Sequence, residues 1–203
     1  QFDFESFLAN TDKKIVSIGW WLRRTLSIQY LPLDMTSPYR KIRLKLGDTL
    51  LDKTRMGLSR LEFVNEWRNR KLDSRYRDNT IEADYLPASE YDDWLARNIV
   101  FLDLFSASAN NAVIECIARG TPLLVNPLPS VVEYLGVDYP LYFHSLEEAA
   151  DKACQFDLVL KAHSHLLVNP IRAQLAPEAF LQSFRKSEVY RRLPGARPPV
   201  DEG

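Results

Sequence analysis

The chain of 203 residues is poor in cysteine, with only Cys116 and Cys154. No CxxC pair and no Cys/His cluster occurs, so neither a zinc-ligand spacing nor a disulfide framework is present. Cys116 stands in an apolar stretch and is expected to be a buried thiol. Two lone cysteines fit a reducing, cytoplasmic compartment. Histidine is equally scattered: His144, His163 and His165. The last two diverge on a helix, so no metal site is expected. An excess of one charge is missing as well. The formal net charge is -1 and the pI is about 6.4. That excludes a general polyanion binder, hence nucleic acid as a partner, and leaves room for a local basic pocket. No apolar run is long enough to span a membrane, and no signal peptide is visible. Gly19 stands alone, so the GxGxxG fingerprint of a dinucleotide site is absent. Internal repeats and low-complexity blocks are lacking too. The chain starts at Gln1 without an initiator Met, as expected of a piece of a larger protein. Its length allows one domain, or one with a small appendage, and 46% hydrophobic residues suffice for a core.

What is present is organised around Tyr91 to Gly136, YDDWLARNIVFLDLFSASANNAVIECIARGTPLLVNPLPSVVEYLG. Asn98 to Phe105 is nearly continuous in apolar residues and predicts a buried strand. Ser106 to Asn111 is a turn of small polar residues. Ala112 to Arg119 predicts a helix ended by Gly120, and Pro122 opens a second apolar run, Leu123-Leu124-Val125. Strand, turn, helix, glycine, strand is a βαβ unit, and fully apolar strands belong to parallel sheets covered by helices on both faces. The expected fold class is therefore α/β, a Rossmann-like parallel sheet in a single lobe. In open sheets of this kind, ligands bind outside the carboxyl ends of the strands. Ser106, Ser108, Asn110 and Asn111 fall there, before a helix whose free N–H groups and dipole suit a phosphate. A plain Ser/Asn cap would have the same sequence.

Other elements follow from the same pattern. Phe2 to Leu8 reads as a short helix or linker. Lys14 to Ile18 is a strand ended by Gly19, with a helix expected from Trp20 onward. Arg23 and Arg24 sit in that first βα turn. Either offers a planar fork to phosphate oxygens, or the two form a solvated basic pair. Lys41 to Leu46 alternates and predicts a strand at a sheet edge. Asp48 is a candidate cap, and Leu58 to Lys71 has helical spacing. The charged run Arg68 to Arg77 reads as a solvated face. Thr80 to Tyr85 predicts a strand, and Ser89 a cap for a helix over Glu90 to Ala96. The Pro-rich loop Asn126 to Pro129 precedes a helix over Val131 to Leu135. Leu141 to Phe143 reads as a last short strand. Ser145 and Glu148 make a capping box for Leu146 to Cys154. A further helix is expected over Pro177 to Arg191.

The segment SANNAVIECIARGTPLLVNPLPSVVEYLG resembles the donor-binding signature of GT-B glycosyltransferases, E-x7-E-A-x-A-x-G-x-P-V followed by a turn and another Glu. Glu115, Ala118, Gly120, Thr121, Pro122 and Leu123 match its second half, and Glu133 matches the later Glu. The preceding DYLPASEYDDWLARNIVFLDL is similar to the family's strand, loop, helix, strand pattern. The match is good over Asn79 to Gly136 and looser before it. One departure is clear: the first Glu of the motif falls on Ala107.

The resemblance implies a metal-independent transfer of a sugar from a nucleoside diphosphate donor, UDP-sugar first, to a glycan or other acceptor. It implies no further cofactor. It assigns donor-binding roles to Gly19, Arg23, Arg24, Tyr85, Ser108, Asn110, Asn111, Glu115 and Glu133, with Glu115 on the ribose diol and Asp84, Tyr85 and Leu86 around the base. No residue is assigned as a catalytic base. A two-lobed enzyme needs more chain than this, so another lobe, domain or subunit is an expected partner. The expected layout is a linker or N-terminal helix over 1–13, the Rossmann-like domain over 14–192 and a disordered tail over 193–203. A nucleotide-sugar epimerase-like enzyme and a non-catalytic interaction domain are the alternatives.

Overall fold

The computed structural model describes residues 1–19, 22–44, 72–84, 86–107 and 111–193. Its centre is a five-stranded sheet in the order β3-β2-β1-β4-β5. The strands are β1 Lys13–Ser17, β2 Tyr39–Leu44, β3 Thr80–Ala83, β4 Ile99–Leu102 and β5 Leu123–Val125. Every pairing is parallel. All residues of β4 and β5 are buried, because helices surround the sheet and leave no wet face at its centre. Ile15, Val16, Ile42, Ile99, Phe101 and Leu124 are core residues contributed by the strands. The molecule is thus the Rossmann-like α/β fold that the apolar runs predict.

The helices are α1 Phe4–Ala9, α2 Ser27–Tyr30, α3 Ser74–Asp78, α4 Ala88–Arg97, α5 Asn111–Arg119, α6 Pro129–Leu135, α7 Leu146–Ala153, α8 Phe156–Leu167, α9 Ile171–Gln174, α10 Pro177–Lys186 and α11 Glu188–Arg191. The N-terminal segment is fastened to the domain. Phe2 and Phe7 are buried, and the Phe2 amide donates to the Arg119 carbonyl at 2.9 Å. Gly120 ends α5 at φ +68, a left-handed conformation in which a Cβ would crowd Leu167 and His163. Ser145 caps α7 by accepting from the Glu148 amide at 3.1 Å.

Several local expectations are corrected. Among the described residues, no helix follows β1 before Ser27. Gly19 at φ +68 and Leu22 at φ 59 are both left-handed, which turns the chain sharply, and the first helical turn begins only at Ser27. β2 is an inner strand, because β3 pairs on its outer side. Ser89 lies inside α4, whose cap position is Pro87. Leu141 to Phe143 is not a strand of the sheet; Tyr142 makes one isolated bridge to Val125. The helix expected over Pro177 to Arg191 breaks at Ser187, whose Oγ accepts from the Tyr190 amide at 3.1 Å and starts α11. α8 carries His163 and His165, as their reading on a helix implies, but its bounds have no sequence signal. It has no side-chain cap, and its buried face is Val159, Ala162 and Leu166. The expectations for Trp20, Asp48, Leu58 to Lys71, Tyr85, Ser108, Asn110 and the tail from Pro194 lie outside the described residues.

Candidate functional site

Strand order reverses direction between β1 and β4: β2 and β3 build outward on one side, β5 on the other. The loops that leave the carboxyl ends of β1 and β4 therefore meet, at the position where ligands bind in such sheets. Backbone hydrogen bonds lace these loops together. The Arg24 amide donates to the Asp103 carbonyl at 2.8 Å, and the Phe105 amide to the Leu22 carbonyl at 3.3 Å. Arg23 and Leu104 form an antiparallel bridge between them. Asn126, just after β5, grips Leu104 from the other side. Its Oδ1 accepts from the Leu104 amide at 2.8 Å, and its Nδ2 donates to the Leu104 carbonyl at 2.8 Å. Further along, Ser130 Oγ on α6 donates to the Ala107 carbonyl at 2.8 Å. Residues 104–107, which follow β4, are thus fastened by Asn126 and Ser130.

Arg23 and Arg24 have different fates. Arg24 is bound up in structure: its Nη1 donates to Asp103 Oδ1 at 2.9 Å and to the Leu104 carbonyl at 2.8 Å. The pair is largely buried, with side chains 18% and 8% exposed. Arg23 instead folds back over Gly19, with its Nη1 donating to the Ile18 carbonyl. Burial lowers its pKa, while Tyr91, Cys116 and Glu115, all within electrostatic reach, push it up. The guanidinium keeps its charge regardless. A cation is thereby placed at the carboxyl end of β1, close to the Gly19 turn.

Glu115 lies one turn into α5 and is half-buried. Its Oε2 accepts from the Tyr91 hydroxyl of α4 at 2.8 Å. Burial raises the Tyr91 pKa far above its ordinary value, and the bond to Glu115 raises it further, so the phenol stays a donor at neutral pH. Next to Glu115, the Cys116 thiol is buried and its pKa is pushed up by desolvation. It is a packing residue, as expected. Asn111 is exposed at the start of α5, and Glu133 is exposed on α6 in the turn after Ser130. Gly19, Arg23 and Glu115 are therefore brought to one region, and Arg24 is turned away to Asp103. Sequence patterning marks the loop Asn126 to Pro129 as a rim of the cleft, but not the grip of Asn126 on Leu104. It does not mark Ser130, and Tyr91 carries only the signal of a helix residue.

His163 and His165 are assigned to structure. Their ring nitrogens lie 2.7 Å from the Gly120 carbonyl and 2.6 Å from the Leu135 carbonyl, at the ends of α5 and α6. Among the described residues, no group of three or more His, Cys, Asp or Glu is placed to hold a metal ion. Chemically, the region offers a guanidinium and a helix start for an anion. Beside them is a carboxylate that can accept hydrogen bonds from a pair of hydroxyls.

No family model and no curated protein matches the chain. Solved structures do. A mutant O-GlcNAc transferase from Thermobaculum terrenum matches 90% of this chain with a TM-score of 0.51 and 12% sequence identity. What the two share is the fold, a parallel sheet surrounded by helices. The match takes in 36% of that enzyme's chain, so this protein spans about a third of its length. At that identity the likeness concerns the arrangement of strands and helices, and site residues do not transfer with it. Among the described residues, no helix is long and apolar enough to cross a membrane.

Proposed function

We propose that this chain is the donor-binding lobe of a glycosyltransferase that takes a nucleoside diphosphate sugar, UDP-sugar first. One observation carries the reading. At the switch point of the sheet, the Gly19–Arg23 turn and the Tyr91–Glu115 pair are within electrostatic reach of each other. A diphosphate needs the cation and the N–H groups that begin α5. A ribose needs the carboxylate. Gly19, Arg23, Asn111 and Glu115 would line this path. Arg23 and the α5 start would neutralise the charge that develops on the departing diphosphate, and such electrostatic stabilisation is the main lever for a group transfer of this kind. Acceptor binding would come from chain beyond this lobe, in line with the greater length of the Thermobaculum terrenum enzyme.

Thermal unfolding with UDP, GDP, dTDP, CDP, ADP and their sugars tests the reading. A ligand at a hundredfold excess over its Kd adds about 2.7 kcal/mol to the stability of the native state. One nucleoside diphosphate should raise the midpoint, and Glu115→Ala should abolish the rise. Indifference to every nucleotide would favour a non-catalytic domain.

A further inference from the structure

The Tyr91–Glu115 hydrogen bond ties two helices whose contact is already secured elsewhere. Arg119 on α5 pairs with Asp92 on α4 at 2.5 Å. Thr121 Oγ1 donates to the Leu95 carbonyl at 2.8 Å, and Leu95 itself is buried. Tyr91 adds little that these do not supply. Its position is different, however. It sits in the first turn of α4, where its amide donates to the Pro87 carbonyl at 2.9 Å. That end of α4 follows the carboxyl end of β3, the same side of the sheet as Gly19 and Arg23. The phenol thus approaches Glu115 from the ligand side of the sheet, and Arg23 is in electrostatic reach of both groups.

We infer that Tyr91 is a positioning residue for Glu115, fixing its carboxylate so that the protein prefers a ribose over a 2′-deoxyribose. The inference rests on the donor-site reading above. A carboxylate has about four lone-pair sites. Tyr91 uses one of them on Oε2, which leaves Oε1 and the rest of Oε2 for two neighbouring hydroxyls. A glutamate free to rotate would lose entropy on meeting a diol. Held by Tyr91, it has lost that freedom before the ligand arrives, and preorganisation of this kind appears as affinity. Buried partners that orient a ligand-binding side chain in metal sites matter by about 10- to 100-fold in affinity, and a similar scale is expected here.

The test is calorimetric titration with UDP, GDP, CDP and ADP, each set against its 2′-deoxy counterpart. Wild type should prefer the ribose form of whichever nucleotide it binds. Tyr91→Phe should weaken that form about tenfold, leave the deoxy form nearly unchanged and so bring the ratio close to one. In a Glu115→Gln background, Tyr91→Phe should have no further effect. Glu115→Asp keeps the charge but draws the carboxylate back from Tyr91. It should lose the preference too, and it serves if Tyr91→Phe does not fold. A purely structural Tyr91 would lower the unfolding midpoint and leave the ribose-to-deoxyribose ratio intact, which overturns the inference alone. Wild type that binds a nucleotide without preferring ribose overturns it as well, and spares the phosphate site. Wild type that binds none of them overturns the donor-site reading and the inference together.

Discussion

The Arg23 guanidinium lies across Gly19, so closely that a Cβ on Gly19 would come 2.7 Å from Arg23 Cζ. Gly19 is also left-handed, at φ +68. Two separate constraints therefore meet at one glycine. Gly19→Ala should cost about 1 to 3 kcal/mol, part from the backbone and part from the displaced guanidinium. Adding Arg23→Ala should recover the steric part and leave the backbone part. Urea unfolding of the single and double variants measures both.

Arg24 and Arg23 should separate stability from binding. Arg24→Ala takes one partner from the buried Asp103 carboxylate. A loss of about 2 to 3 kcal/mol is expected, because removing one member of a buried ion pair leaves the other charge less well compensated. Nucleotide affinity per folded molecule should hardly change. Arg23→Ala should do the reverse, weakening a diphosphate by about tenfold with a small change in unfolding midpoint. Parallel titration calorimetry and unfolding of the two variants would show the split. Equal losses of affinity would contradict it.

Lys41 gives the fold a pH dependence. Its side chain is buried on β2, and its Nζ donates to the Leu31 carbonyl at 2.8 Å. Burial lowers its pKa from 10.5 to about 7. Below about pH 7 the amine is charged in the folded and unfolded chains alike, and the cost of burying the charge is felt in full. Between about 7 and 10.5 the unfolded chain holds the extra proton, so stability rises with pH. The slope from this group is at most about 1.4 kcal/mol per pH unit. Lys41→Met should flatten this rise, measured by chemical unfolding at pH 6, 7, 8 and 9. A rise of unchanged steepness in the variant would assign it to other groups.

The parts of the fold that were legible in the sequence are those whose signal is local and dense. Ile99 to Leu102 and Leu123 to Val125 are apolar throughout, and runs this short, flanked by turn residues, read as strands buried on both faces. Gly120 marked the end of α5 because a left-handed residue was needed there. The failures have physical causes too. A helix was expected after Gly19, since Trp20 to Ile28 carries suitable residues, but two left-handed positions cannot open a helix. β2 was placed at an edge on its alternation, although edge or centre depends on β3, far along the chain. At the site, Glu115 was visible as a carboxylate on an apolar helix. Its partner Tyr91 was not, because the bond joins residues 24 apart and no local pattern encodes it. Likewise the two arginines are adjacent and alike in sequence. The buried Asp103 and the Ile18 carbonyl, both set by the fold, tell them apart.

The most direct test of the account is hydrogen–deuterium exchange of the chain with and without a saturating nucleoside diphosphate, UDP first. Binding at the switch point should slow exchange at residues 17–24, at 104–107 and at the first turns of α4 and α5. Helices α10 and α11, which supply none of the proposed donor contacts, should exchange as before. Protection confined to other elements, or none with UDP, GDP, dTDP, CDP or ADP, would contradict a donor site at the carboxyl ends of β1 and β4.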